Sequence, residues 1–102
     1  MAVAEVTRYA DGVYTGPVVD AYYGPIQIQA IIKGGRLAGI QVLQWPNDRR
    51  TSVRINQQAL PWLRDEVVQA QSADVDIISG ATLTSEAFIR SIGGALRQAS
   101  GL

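Results

Sequence analysis

The sequence predicts a small α+β domain, a twisted and mostly antiparallel sheet with helices packed against it. Three observations carry that expectation. Ile26, Ile28, Ala30 and Ile32 fall on one face of a period-two run that stops at Gly34-Gly35, the pattern of a half-buried strand entering a tight hairpin. Near the C-terminus, Phe88, Ile92, Ala95, Leu96 and Ala99 recur at helical spacing and form a face that docks on a sheet. The chain has 102 residues, 47% of them hydrophobic and 18% charged. That is enough for a single domain, residues 1–102, with one core that buries roughly 60–70% of the unfolded surface.

The elements follow in order. Asp11-Gly12-Val13-Tyr14-Thr15-Gly16 reads as a turn leading into a short strand that ends at Gly16-Pro17. Tyr22-Tyr23-Gly24-Pro25 is a second turn, and Ile26 to Lys33 is the alternating strand. Gly34-Gly35 tolerates positive φ and so closes the hairpin, with Arg36 to Trp45 as the return strand. Pro46-Asn47-Asp48 ends that strand. Ser52 is placed as the N-cap of a helical region from Val53 to Gln69, with Leu60, Leu63, Val67 and Val68 on its buried face. Pro61 interrupts it, and an interior proline costs about 3 kcal/mol. Two short helices are therefore expected, with Trp62 as core between helix and sheet.

Asp74 to Ile78 reads as a strand or an extended lead-in to the last helix, which Thr84 or Ser85 would cap, with Glu86 in its first turn. Gly93-Gly94 weakens that helix by about 1 kcal/mol per glycine. The pair either permits close helix–sheet contact or loosens local order.

Composition removes whole classes of function. Nine basic and nine acidic residues cancel, so no net field draws the chain to nucleic acid. No cysteine and no histidine is present. Disulfides, thiolate chemistry, sulfur-ligated metals and the commonest general base are absent with them, and redox chemistry would have to come from a cofactor. No stretch approaches the roughly 20 apolar residues of a membrane span, and Met1 to Val6 lacks the pattern of a signal peptide. Either the native protein has no export segment, or the sequence begins after one.

The densest cluster of chemistry-bearing groups is Asp76-Ile77-Ile78-Ser79-Gly80-Ala81-Thr82-Leu83-Thr84-Ser85. It sets a hydroxyl-rich turn ahead of a helix, where free backbone N–H groups suit a phosphate. It lacks the lysine of a nucleotide-hydrolase loop, the base of a hydrolase elbow and the spaced glycines of a dinucleotide fingerprint. From the residues alone, two readings stay open: a phosphate anchor, or a plain turn with hydroxyl caps.

Asp76-Ile77-Ile78-Ser79-Gly80-Ala81-Thr82 resembles the flavinylation motif of the FMN-binding domain family, which includes flavin subunits of sodium-pumping quinone reductases and Rnf-type electron-transport complexes. Thr82 matches the acceptor threonine, and Thr84-Ser85 matches the usual continuation. Asp11 to Gly16, the hairpin at Gly34-Gly35 and Gln71-Ser72 also fit, so the resemblance spans roughly Asp11 to Gln98.

The resemblance implies an electron carrier, or a subunit of an oxidoreductase complex, rather than a stand-alone enzyme. FMN would be esterified through its phosphate to Thr82 by a flavin transferase. Ser79, Gly80, Ala81, Leu83, Thr84 and Ser85 would complete the cofactor-binding segment, the hydroxyls either touching phosphate or capping the helix. Asp76 would belong to the transferase recognition signal. Tyr22, Tyr23 and Trp45 stand at hairpin strand ends as flavin contacts or as rim packing. The implied partners are redox proteins at a membrane, and the implied location is extracytoplasmic or membrane-associated. The alternatives are reversible FMN binding and a non-redox interaction module.

Overall fold

The computed structural model describes residues 9–22, 24–46 and 50–100, the stretch 50–56 by its backbone course alone. Among the described residues four strands and two helices follow one another: β1 (Gly12–Thr15), β2 (Val19–Asp20), β3 (Pro25–Lys33), β4 (Arg36–Gln44), α1 (Arg50–Ala70) and α2 (Thr82–Ala99). This is the expected α+β architecture, a small open antiparallel sheet with two helices.

β3 organises the sheet. Along one edge it pairs with β4 (Ile28↔Val42, Ala30↔Ile40, Ile32↔Leu37), and along the other with β1 and then β2 (Val13↔Ile31, Val19↔Ile26). Ile26, Ile28, Ala30 and Ile32 are all buried, as their alternation requires. Lys33 pairs with Arg36 across a two-residue turn. Gly34 and Gly35 both have positive φ, 65° and 78°, the hairpin geometry whose twist matches the strands. Asp11 Oδ1 accepts from Gly35 N at 2.8 Å. Backbone donation from Gly35, and then from Gly34, holds this carboxyl below its ordinary pKa.

α2 lies on the inner face of the sheet. Phe88, Ile92 and Ala95 are fully buried, and Leu96 and Ala99 nearly so. Burial of a large apolar side chain contributes about 1.5–3 kcal/mol, which outweighs the cost of the paired glycines. Gly94 is the glycine that the packing demands. A Cβ there would stand 2.5 Å from Pro17 Cδ, whereas one at Gly93 would meet Ala73 at an ordinary 3.6 Å.

Between β1 and β2 the chain leaves the edge of β3, and the Ser91 hydroxyl fills the gap. It accepts from Ile28 N at 2.9 Å and donates to Pro17 O at 2.7 Å. Further along, Gln98 Nε2 donates to Thr15 O, and Ala99 O accepts from Ala10 N. α2 therefore runs in the same direction as β3. Its N-terminus sits at the end of the sheet where β3 begins and β4 finishes.

α1 corrects the expectation of two helices. It is one helix with Pro61 inside it. Pro61 and Gln57 are both exposed, so the Gln57 carbonyl that loses its intrahelical donor faces water, which limits the cost. The buried stripe Ala59, Leu60, Leu63 and Val67 runs through the proline unbroken. Ser52 lies inside this helix, which starts at Arg50. Among the described residues no helix is long and apolar enough to cross a membrane.

Candidate functional site

The segment from Ser72 to Ala81 leaves α1 and returns along α2. Asp74 to Ile78 is extended without ladder partners, so of the two sequence expectations the lead-in holds. A turn then closes on itself, Ala81 N donating to Ile78 O at 3.0 Å. Its third residue, Gly80, has φ +87°. A type II turn needs positive φ there and selects glycine. Space around Gly80 is open, since a Cβ would meet nothing within 4 Å.

The turn fixes where α2 begins, and it begins earlier than the hydroxyl pattern suggested. Thr82 is the first helical residue, and Ala81 takes the N-cap position without a side-chain cap. Thr84 and Ser85 therefore lie inside the helix and are buried, and the exposed Glu86 falls beyond the first turn, which carries no acidic residue. Ser85 works as a tie. Its hydroxyl accepts from Ile78 N at 3.1 Å and donates to Ala81 O at 2.7 Å, bracing the turn against the helix.

Thr82 and Leu83 are exposed, and the Thr82 hydroxyl makes no hydrogen bond to the described residues. Ser85 N, bonded to Ala81 O at 2.9 Å, is the first α-type donor of the helix. The N–H groups of Thr82 and Leu83 thus have no intrahelical acceptor. Ser79 and Gly80 are exposed beside them, and Asp76 is exposed on the lead-in.

A groove of about 400 Å³ opens next to the turn, lined by Gln58, Ala59 and Trp62 of α1 and by Ile78 to Ala81. Trp62 corrects the expectation of a core residue: it is 63% exposed. Its position off the Leu60–Leu63–Val67 stripe was the available signal. Residues two apart on a helix do not share a face, so Trp62 cannot point where Leu60 points.

The aromatic residues expected at the hairpin ends are placed differently. Trp45 is half-buried against the core. Tyr22 is 74% exposed with φ 75°, and its N–H donates to Asp20 Oδ1 at 2.9 Å. Both stand at the end of the sheet that holds the N-terminus of α2, but neither lines the groove. Tyr23 lies outside the described residues.

An exposed hydroxyl, open N–H groups at a helix N-terminus and, beside them, a mostly apolar groove with no charged group among its described lining residues suit a ligand with a phosphate at one end and a flat ring at the other. Comparison with known proteins gives the class. A crystal structure of the CPE2226 protein from Clostridium perfringens shares the fold, with a TM-score of 0.72 over 91% of this chain and 90% of that one, at 20% identity. A protein of Treponema pallidum (strain Nichols), described as uncharacterized, is 33% identical over 88 residues, 86% of this chain. The chain spans 23% of that relative's length. The family model for the FMN-binding domain matches residues 21–97. The chain belongs to the FMN-binding domain family, and FMN is the cofactor of this domain.

Proposed function

We propose that the domain is an electron carrier whose FMN is joined through its phosphate to the Thr82 hydroxyl. The observation that carries this reading is the placement of Thr82: exposed, first in α2, its hydroxyl uncommitted among the described residues, and adjacent to the groove at Ala81. In the proposed attachment a flavin transferase supplies FAD. The Thr82 oxygen bonds to the phosphorus on the flavin side, the pyrophosphate bond breaks, AMP leaves and the hydroxyl proton passes to solvent. No electrons move in that step.

A phosphate link leaves the flavin ring untouched, and flavin takes electrons in pairs and releases them singly, which suits a relay. The chain's own residues hold the charge. The N–H groups of Thr82 and Leu83 are directed out of the helix N-terminus, whose dipole favours an anion there by about 0.3–1 kcal/mol. The absence of an acidic residue in the first turn removes a source of repulsion. Gly80 leaves the approach open.

Asp76 serves recognition by the transferase in this reading. A carboxylate would repel phosphate, and an exposed position on an extended segment suits docking to an enzyme. The redox partners are membrane-associated proteins, and the domain works at a membrane or outside the cytoplasm.

Intact mass after co-expression with a flavin transferase tests the proposal. The expected gain is one FMN less one water, abolished by Thr82→Ala with no change in melting temperature. Yellow protein without a mass gain would instead indicate reversible FMN binding. Colourless protein under both conditions would sink the redox reading and leave an interaction module. Asp76→Ala is expected to block the mass gain while sparing the fold.

A further inference from the structure

We propose that Trp62 is the stacking platform for the isoalloxazine ring, and so the residue that sets the emission and ring-end affinity of the bound flavin. The inference rests on the reading that FMN is anchored at Thr82. Trp62 exposes most of its indole in mid-helix, while Leu60 and Leu63 on either side of it are buried. Single exposed aromatics are ordinary. This one faces a groove that also holds the apolar side chain of Ile78 and the small residues Ala59, Gly80 and Ala81. Small residues leave room for a flat ligand to lie against the indole rather than above it.

The groove is built for a ring more than for a chain of charges. Among the described residues no ionisable side chain lines it, and Gln58 gives it a side-chain amide that can donate to or accept from a polar ring edge. At the turn end it reaches Ala81, the residue before Thr82. A ligand tethered at that hydroxyl therefore enters from the phosphate end. Offset stacking of two aromatic planes is the favoured geometry in such a slot. Neither Tyr22 nor Trp45 lines the groove.

An indole in contact with a flavin quenches its fluorescence, which gives a readout independent of electron-transfer activity. Protein flavinylated by the transferase, with the mass confirmed, is compared as wild type, Trp62→Leu and Tyr22→Leu. Trp62→Leu is expected to raise the flavin emission and lengthen its lifetime several-fold. Tyr22→Leu is expected to leave both unchanged. Trp62→Phe keeps a ring and falls between.

In the Thr82→Ala background, where FMN can bind only reversibly, Trp62→Leu is expected to weaken added FMN by about 2–10-fold. Flavinylated Trp62→Leu with wild-type emission overturns the stacking role and leaves the Thr82 attachment intact. The same holds if Tyr22→Leu alone lifts the quench. Wild-type protein that gains no mass and binds no added FMN overturns both. Trp62 is exposed, so the variant is expected to melt with the wild type, and a matching circular dichroism trace secures the comparison.

Discussion

The connection between the two helices has two ends that are built in opposite ways. At its start, Gln71 holds a positive φ of 57°, an uncommon conformation for a residue with a Cβ. It is over-determined by hydrogen bonds. The side chain accepts from Leu37 N at 2.8 Å and donates to Leu37 O at 2.9 Å and to Val68 O at 2.7 Å. Its carbonyl accepts from the Tyr9 hydroxyl at 2.7 Å.

At the other end, Gly80 takes positive φ with open space where a Cβ would stand, and the neighbouring Ser79, Thr82 and Leu83 face solvent. One turn uses its side chain to satisfy the end of the hairpin. The other keeps its groups unspent. On the proposed attachment at Thr82, the difference separates stability from function along about ten residues of chain: strain is tolerated where bonds repay it, and the proposed anchor keeps its polar groups open.

Breaking the anchored end should have the largest effect. Gln71→Ala removes three side-chain hydrogen bonds and leaves both backbone groups of Leu37 without that partner. At about 1 kcal/mol net per bond the loss is about 3 kcal/mol. For a domain of this size the melting temperature should fall by more than about 10 °C, read by circular dichroism. A fall no larger than that of a surface variant would dissolve the contrast.

Ser85→Ala attacks the brace beneath the open turn. The Ile78 N–H loses its acceptor in a half-buried place, and a loss of about 1–2 kcal/mol is expected. Faster amide exchange confined to Ile78 and Ala81 would locate the damage, whereas uniform exchange through α2 would show that Ser85 supports the helix rather than the turn.

The smallest effect belongs to Asp11 at the anchored end. Its pKa is lowered in the folded state. It therefore stabilises above its unfolded value of about 3.8, and that contribution is lost as pH falls through the lower folded value. Asp11→Asn should therefore lower stability slightly near neutrality, and its difference from the wild type should close as pH falls through that window. A parallel shift at every pH would mean that the Gly35 bond matters without regard to charge.

How much of this was legible in the sequence depended on whether the signal was periodic or positional. The hairpin and the docking face of α2 were legible, because apolar residues at periods of two and 3.6 are placed by burial. The continuity of α1 was not. The cost of Pro61 is a local rule, and its exemption depends on Gln57 facing water, which is known only once α1 has docked. The start of α2 was misplaced because Thr84 and Ser85 are preferred caps, whereas the helix is launched by the turn at Gly80. Trp62 was lost to its hydrophobicity, although its offset from the buried stripe spoke against a core place. The motif itself was legible as a pattern of residue types. The groove across from it was not, since α1 supplies Gln58, Ala59 and Trp62 from a distant stretch of chain.

Ser91 adds something that alternation in β3 cannot. Ile26, Ile28, Ala30 and Ile32 are spaced by two, so sliding the strand by two residues would keep every side chain on its own face. Side-chain burial alone is blind to that error. The Ser91 hydroxyl is not, because it seeks an amide left without a strand partner, and Ile28 supplies one opposite the break between β1 and β2. The helix thereby reads the register of the sheet at a single atom. The same helix begins at Thr82, so this bond ties the segment that carries Thr82 to one register of the sheet.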